Sequence, residues 1–268
     1  MDALLQPLST EPPESVLISV RSVTKKYETT STVALDNVSL DIAPGEFISL
    51  VGPSGCGKST LLKIVSGLMR QTSGDVALEG RALSRPSKDV GLVFQSPVLL
   101  PWRSILENVL FPVEVQYGHT KAFQERALGL LDKVGLLSFK DSYPHQLSGG
   151  MQQRASIVRA LVQDPKVLLM DEPFGALDAM TREQMNVLLL DIWSEHKKTV
   201  VFVTHSIPES VFLSDRVVVM TPRPGRIEQV LDISLNRPRE LSVINTERFG
   251  QYASHIRKLL NAKEDITG

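Results

Sequence analysis

Residues 52–60, Gly52-Pro53-Ser54-Gly55-Cys56-Gly57-Lys58-Ser59-Thr60, have the types and order to hold a polyphosphate. They satisfy the pattern G-x-x-x-x-G-K-[ST] from Gly52 to Ser59. Gly52, Gly55 and Gly57 let the backbone curl so that successive N–H groups point inward at phosphate oxygens. A helix beginning near Lys58 adds the positive end of its dipole. Lys58 is expected to reach the β- and γ-phosphates, and the Ser59 hydroxyl to ligate Mg²⁺. All nine residues, Pro53, Ser54 and Thr60 included, are expected against the nucleotide. Cys56 reads as a small residue filling a variable position rather than as a redox centre.

A second group of residues can act on what the loop holds. Residues 167–172 read Val-Leu-Leu-Met-Asp-Glu, an apolar run ending in two carboxylates. Asp171 can hold Mg²⁺ through water, and Glu172 can polarise a water for attack on the γ-phosphate. His205 follows the β-branched run Thr199 to Val203. A histidine after a strand is as a rule structural, but this one ends a second parallel strand, where open α/β sheets bind their ligands. Its expected role is to contact the γ-phosphate and keep Glu172 and the water in line. Gln95 ends the run Val90 to Phe94, and its amide can reach Mg²⁺ and the same water. The expected metal set is Ser59, Gln95 and Asp171.

These residues need elements to carry them. Alternation through Val16, Ile18, Val20 and Val23 to Tyr27, and again through Val38, Leu40 and Ile42, predicts short strands of a half-buried sheet. Pro44-Gly45 is a turn, and Phe47 to Val51 a buried strand. From there strand alternates with helix. Helices are predicted over 58–68, 104–115, 121–134, 149–163 and 180–196, and strands over 75–78, 90–94, 167–171, 199–203 and 217–220. In the helix over 180–196, Met185, Leu188, Leu189 and Ile192 share one face. The alternation implies an α/β sheet with crossovers. A C-terminal helix is expected over 245–263. The first 15 residues, with Pro7, Pro12 and Pro13 among polar neighbours, read as a disordered arm.

Composition excludes several classes. In 268 residues there is one cysteine, so no disulfide can form within the chain, as suits a reducing compartment. The formal net charge of −1 supplies no positive field for nucleic acid. No run approaches the roughly 18–20 apolar residues that span a bilayer. Residues 1–15 lack the basic start and apolar centre of a signal peptide.

Leu147 to Arg154, Leu-Ser-Gly-Gly-Met-Gln-Gln-Arg, resembles the signature motif of ABC ATPases. The phosphate loop, Gln95, this signature, the acidic strand end, the loop Gly175 to Asp178 and His205 then follow in that family's order, over roughly residues 16–230. The resemblance implies a P-loop NTPase core with a mostly parallel sheet, an N-terminal antiparallel β subdomain and a helical subdomain over about 96–160. The ATPase domain would span 16–235, followed by a helical extension over 236–268. It implies that Tyr27 stacks on adenine. It also implies that Ser148, Gly149 and Gly150, at a helix N-terminus, bind the γ-phosphate of ATP held by the other protomer, and that Asp178 is a further nucleotide-binding residue. One phosphate loop and one signature per chain then require a head-to-tail homodimer.

Leu100-Pro101-Trp102-Arg103 and Pro222-Arg223-Pro224-Gly225-Arg226-Ile227 are similar to ATPases of the nitrate, sulfonate, taurine and bicarbonate importer family, near which pyrimidine-precursor and riboflavin importers also fall. The segment after Gln95 lies where such ATPases receive a helix of the membrane subunit. Trp102 is either an apolar anchor for that helix or an ordinary core tryptophan. The resemblance implies two separate transmembrane permease subunits, an extracytoplasmic solute-binding protein acting indirectly, and a peripheral place on the cytoplasmic face of the inner membrane. Too little chain is expected after Ile227 for a regulatory barrel. The rival reading, a soluble ABC-type ATPase acting on DNA or ribosomes, would need paired ATPase units or a coiled-coil insert. His119, His145, His196 and His255 have no assigned partner and are read as structural or exposed.

Overall fold

The computed structural model describes residues 15–118 and 121–261. The N-terminal arm therefore lies outside the described residues except for Ser15, as does His119. Strands β1 (Ile18–Tyr27) and β2 (Thr32–Ile42) pair antiparallel, followed by β3 (Phe47–Val51) and α1 (Lys58–Val65). Next come β4 (Ser73–Leu78), the short β5 (Arg81–Ala82) and β6 (Val90–Val93). Three helices follow: α2 (Ile105–Tyr117), α3 (Lys121–Lys133) and α4 (Gly149–Leu161). Then come β7 (Val167–Asp171), α5 (Ala179–His196), β8 (Thr199–Val203), α6 (Ile207–Leu213), β9 (Arg216–Met220), β10 (Ile227–Asp232) and α7 (Glu247–Asn261).

A four-stranded antiparallel sheet has the order β2-β1-β4-β5, and a six-stranded sheet the order β10-β9-β3-β8-β7-β6. In the larger sheet only β10 runs antiparallel to its neighbour. The phosphate-loop strand β3 is therefore central, between β9 and β8. Its period of two splits its side chains. Ile48 and Leu50 join Val201, Val203, Val218 and Leu169 in a core shared with α1 and the antiparallel sheet. Phe47 and Val51 face the opposite core, with Phe202, Val217, Met170 and the helices. Burial on both faces is why these strands read as continuous apolar runs. In the second core Phe47 and Trp193 meet edge to face at 6.0 Å between ring centroids.

Helices α2, α3 and α4 pack on one another. The expected architecture of a P-loop core, an antiparallel β subdomain and a helical subdomain is the one observed. Helix α1 ends at Val65 rather than near 68, because Gly67 takes the left-handed conformation (φ 75°) and turns Leu68 outward. Helix α5 buries Asn186, Leu190 and Trp193 besides Met185, Leu189 and Ile192, while Leu188 is only half-buried. A single amphipathic stripe understates it. Three elements were not legible in the sequence: β5, α6 and the edge strand β10, whose Ile-Glu-Gln-Val-Leu-Asp lacks strict alternation. No helix among the described residues is long and apolar enough to cross a membrane.

Candidate active site

The phosphate loop leaves β3 at Val51 and is shaped by crowding. A Cβ at Gly52 would lie 2.8 Å from Cys56 Sγ and 3.1 Å from the Met220 carbonyl oxygen. At Gly57, φ is 109°, and a Cβ would stand 2.6 Å from Leu35 Cδ2, so glycine alone fits. Gly57 is also the N-cap of α1 and offers no side chain to its first turn. By contrast Ser104, Ser148, Asp178 and Ser206 cap α2, α4, α5 and α6 through their side-chain oxygens. The leading amides of α1 thus lack a side-chain acceptor and make an anion site at the positive end of the helix. Cys56 is buried in the core beneath the loop, and burial pushes its thiol up, away from the reactive thiolate. It does not line the cleft.

Lys58 is 6% exposed, and its Nζ donates to the carbonyls of Gly52 (2.7 Å) and Pro53 (3.2 Å). Ser59 Oγ donates to Asp171 Oδ1 at 2.8 Å across 112 residues of sequence. Burial, with the neighbouring Glu172 adding to it, raises the Asp171 carboxyl above its ordinary value; the Ser59 bond and Lys63 and Lys58 oppose this.

Glu172 has φ 47°, a left-handed backbone that costs an L-residue about 1–2 kcal/mol. Two backbone bonds hold it there: Glu172 N donates to Val203 O (3.0 Å) and Gly175 N to Glu172 O (3.1 Å). Asp171 pairs with Val203 in register, so the ends of β7 and β8 lie side by side. This places His205 Nδ1 3.3 Å from Glu172 Oε2. A Cβ on Gly175 would lie 3.6 Å from Gln95 Nε2 and 3.7 Å from His205 Cε1. Gln95, Glu172 and His205 therefore converge around one glycine.

A cleft of about 500 Å³ is lined by Tyr27, Ser54, Gly55, Gly57, Lys58, Ser59, Thr60 and Glu172, together with Thr30, Thr32, Ala34 and Arg223. The Tyr27 hydroxyl lies 3.2 Å from Thr60 Oγ1 and donates to Met69 Sδ at 3.7 Å, which fixes the ring beside α1. Ser148, Gly149, Gly150 and Asp178 do not line this cleft. Ser148 accepts from Met151 N, Gly149 faces open space, and a Cβ at Gly150 would meet Thr181 Cγ2 at 2.9 Å. Asp178 accepts from both the backbone and the hydroxyl of Thr181, which holds its carboxyl below the usual range. The signature and the first turn of α5 thus lie against each other, outside the cleft at their own phosphate loop.

Sequence reasoning missed a buried link behind the site. Glu209 on α6 is 6% exposed and accepts from Thr204 Oγ1 at 2.5 Å, one residue before His205. Its other oxygen lies 3.6 Å from Arg182 Nε, while Arg182 Nη2 donates to Leu177 O. One carboxylate so connects the strand end bearing His205 to the loop Gly175–Asp178. The only local signal is Ser206 followed three residues later by Glu209, which reads as a capping box, yet the Glu209 side chain turns inward instead.

The segment after Gln95 is also rigidly held. Asn108, fully buried, accepts from Leu100 N and donates to the carbonyls of Leu100, Arg103 and Ser104. Arg159 of α4 donates to the carbonyls of Val98 and Pro97. Trp102 at its tip is 71% exposed, so the core reading of this tryptophan is wrong; Trp193, at 5%, is the core one.

No cluster of three His, Cys, Asp or Glu residues that could hold a metal occurs among the described residues. The Ser59 hydroxyl, the Asp171 carboxylate and the Gln95 amide are all oxygen donors, and the partly desolvated Asp171 gains from a nearby cation. A set with a single carboxylate suits Mg²⁺, which is held through one or two carboxylates and completes its shell with phosphates and water.

A family model described as ABC transporter matches residues 35–175. The chain is 47% identical over 252 residues to an uncharacterised ABC transporter ATP-binding protein of Methanocaldococcus jannaschii, covering 93% of this chain and 92% of that one. It is 45% identical over 238 residues to a taurine import ATP-binding protein of Rhizobium johnstonii, covering 87% and 91%. Among solved structures, a dimeric ATP-binding cassette in a post-hydrolysis state with ADP and Pi superposes with a TM-score of 0.72 at 35% identity, covering 82% of this chain and all of that one.

Proposed function

This chain belongs to the ABC transporter ATP-binding family, and from that premise we propose that it is the motor of an importer for a small anion, most closely a sulfonate such as taurine. ATP is its substrate, and hydrolysis is coupled to transport. The taurine relative, matched over 87% of this chain, supports the solute class. Nitrate and bicarbonate are the other members of that class.

The observation that carries the mechanism is the meeting of Glu172 and His205 beside the Ser59–Asp171 pair, at the mouth of the phosphate loop. Lys58 and the α1 amides hold the phosphates. Glu172 accepts a proton from the attacking water, the water oxygen bonds to the γ-phosphorus, and the bond to the β–γ bridging oxygen breaks. His205 and Gln95 keep Glu172 and that water in line. Ser59, Asp171 and Gln95 would hold Mg²⁺, which would supply positive charge against the phosphate oxygens. Tyr27 stacks on the adenine.

Ser148, Gly149 and Gly150 serve the ATP of a second copy, so the working unit is a head-to-tail homodimer. The dimeric cassette that this chain resembles supports that arrangement. The exposed Trp102 seats a helix of one of two permease subunits, which places the dimer on the cytoplasmic face of the membrane. The test is uptake of labelled taurine by vesicles carrying the chain with its permease pair and binding protein. ATP-driven uptake is expected and should vanish in Lys58→Ala. Uptake that persists in that variant removes the phosphate-loop assignment, and uptake of nitrate but not taurine removes the sulfonate reading.

A further inference from the structure

The segment Thr221 to Ile227, between β9 and β10, carries the Pro-Arg-Pro-Gly-Arg run. It forms a tight, well-bonded turn. Thr221 N donates to Arg226 O (2.9 Å), and Arg226 N to Thr221 Oγ1 (3.0 Å). The turn is pinned to β2, since Gly225 N donates to Ala34 O (2.9 Å), Asp36 N donates to Gly225 O (3.0 Å), and Arg226 pairs with Asp36. It is also pressed on the phosphate loop: a Cβ at Gly225 would fall 1.9 Å from the Cys56 carbonyl oxygen. No side chain can stand there, so the backbone of the turn lies directly against the backbone of the loop.

This packing delivers one cation to the cleft. Arg223 Nε donates to the Gly55 carbonyl at 3.2 Å, and the Arg223 side chain lines the cleft alongside Gly55, Lys58 and Tyr27. A guanidinium has five N–H donors, and the Nε one goes to the loop. The remaining donors sit at the rim of a cleft built for an anion. Lys58, by contrast, is buried beneath the loop. Lys58 and Arg223 thus bring two cations to one cleft, and both donate to carbonyls of the same loop.

We propose that Arg223 is a nucleotide-binding residue of this site, its guanidinium clasping the diphosphate shared by ATP and ADP while its Nε braces the loop. The proposal rests on the reading of the cleft as the ATP site. A guanidinium fits phosphate oxygens in a fork, which an ammonium does not.

The test is equilibrium binding of ATP and ADP to the purified chain, with steady-state hydrolysis, for wild type, Arg223→Ala, Arg223→Lys and Lys58→Ala. Arg223→Ala is expected to weaken ATP and ADP alike by about tenfold, the usual scale for one charge-assisted hydrogen bond. KM should rise accordingly with kcat within about twofold, since the diphosphate contact is made equally in ground and transition states. Arg223→Lys should recover part of the loss. Nucleotide-free melting should be unchanged, because the side chain is exposed. ATP and ADP affinities within twofold of wild type in Arg223→Ala, while Lys58→Ala loses binding, would overturn the assignment and leave the phosphate-loop reading intact. Wild-type binding in Lys58→Ala would overturn both. Unchanged affinity with loss of ATP-induced dimers would overturn it by handing Arg223 to the partner protomer.

Discussion

His205 Nδ1 stands 3.3 Å from Glu172 Oε2, a contact between the ends of two adjacent parallel strands. Glu172, the proposed proton acceptor, has its backbone held left-handed between Val203 and Gly175. Replacing it by Gln keeps its size and leaves Lys58, Ser59 and Asp171 in place. Glu172→Gln should slow hydrolysis by roughly 10²–10⁴, the usual contribution of a general base. Unhydrolysed ATP should then hold two copies together, seen as a shift to dimer on size exclusion with Mg-ATP but not with ADP. Wild-type turnover in this variant would take Glu172 out of the mechanism.

Asp171 sets stability against function. Burial raises its pKa above the ordinary 3.8, so in that interval the folded chain binds more protons than the unfolded one. Stability therefore falls as pH rises through the interval, and the cost is complete above it. Asp171→Asn removes that charge while its amide oxygen still accepts from Ser59. The nucleotide-free variant should melt higher than wild type at pH 7. The difference should shrink as pH falls and vanish below the ordinary value, while hydrolysis is lost. Thermal melts from pH 7 to 3 measure this, and a lower melting point at pH 7 would contradict it.

Trp102 is held out from the surface by the Asn108 hydrogen bonds rather than packed beneath it. Trp102→Ala should change stability by less than about 0.5 kcal/mol, as exposed substitutions do. ATP hydrolysis by the free chain should persist while co-purification with the permease falls. Loss of fold in the variant would show that the segment needs the tryptophan for stability and would remove the docking reading.

Arg239 ties the C-terminal extension to the rest. At 6% exposure its Nη1 donates to the carbonyls of Val211, Phe212 and Ser214, and its Nη2 to those of Ile233 and Leu235. Burial pulls its pKa down to about 10, so the guanidinium stays charged at pH 7. Arg239→Leu leaves these carbonyls without their donor. It should cost about 3 kcal/mol and lower the melting midpoint by roughly 6–12 °C. A melt within a degree of wild type would show that the extension is held by its apolar contacts alone, through Phe249, Tyr252 and Ile256.

Much of this protein is legible from contiguous residues. The curl of the phosphate loop, the order Lys58-Ser59 at a helix start, and a buried strand ending in Asp171-Glu172 are set by local backbone geometry and by period. Those act over a few residues and survive without knowledge of the fold. The joining of distant residues is different. Arg223 meets Gly55 across 168 positions because β9 happens to lie beside β3. Glu209 turns inward to Thr204 and Arg182 rather than capping its own helix, a choice made by the buried partners waiting there. Trp102 and Trp193 are alike as residue types, yet one is exposed and the other lies against Phe47. Periodicity reports that a residue has an apolar side; it does not report what the strand order brings to that side, and the strand order here is settled only by the packed sheet.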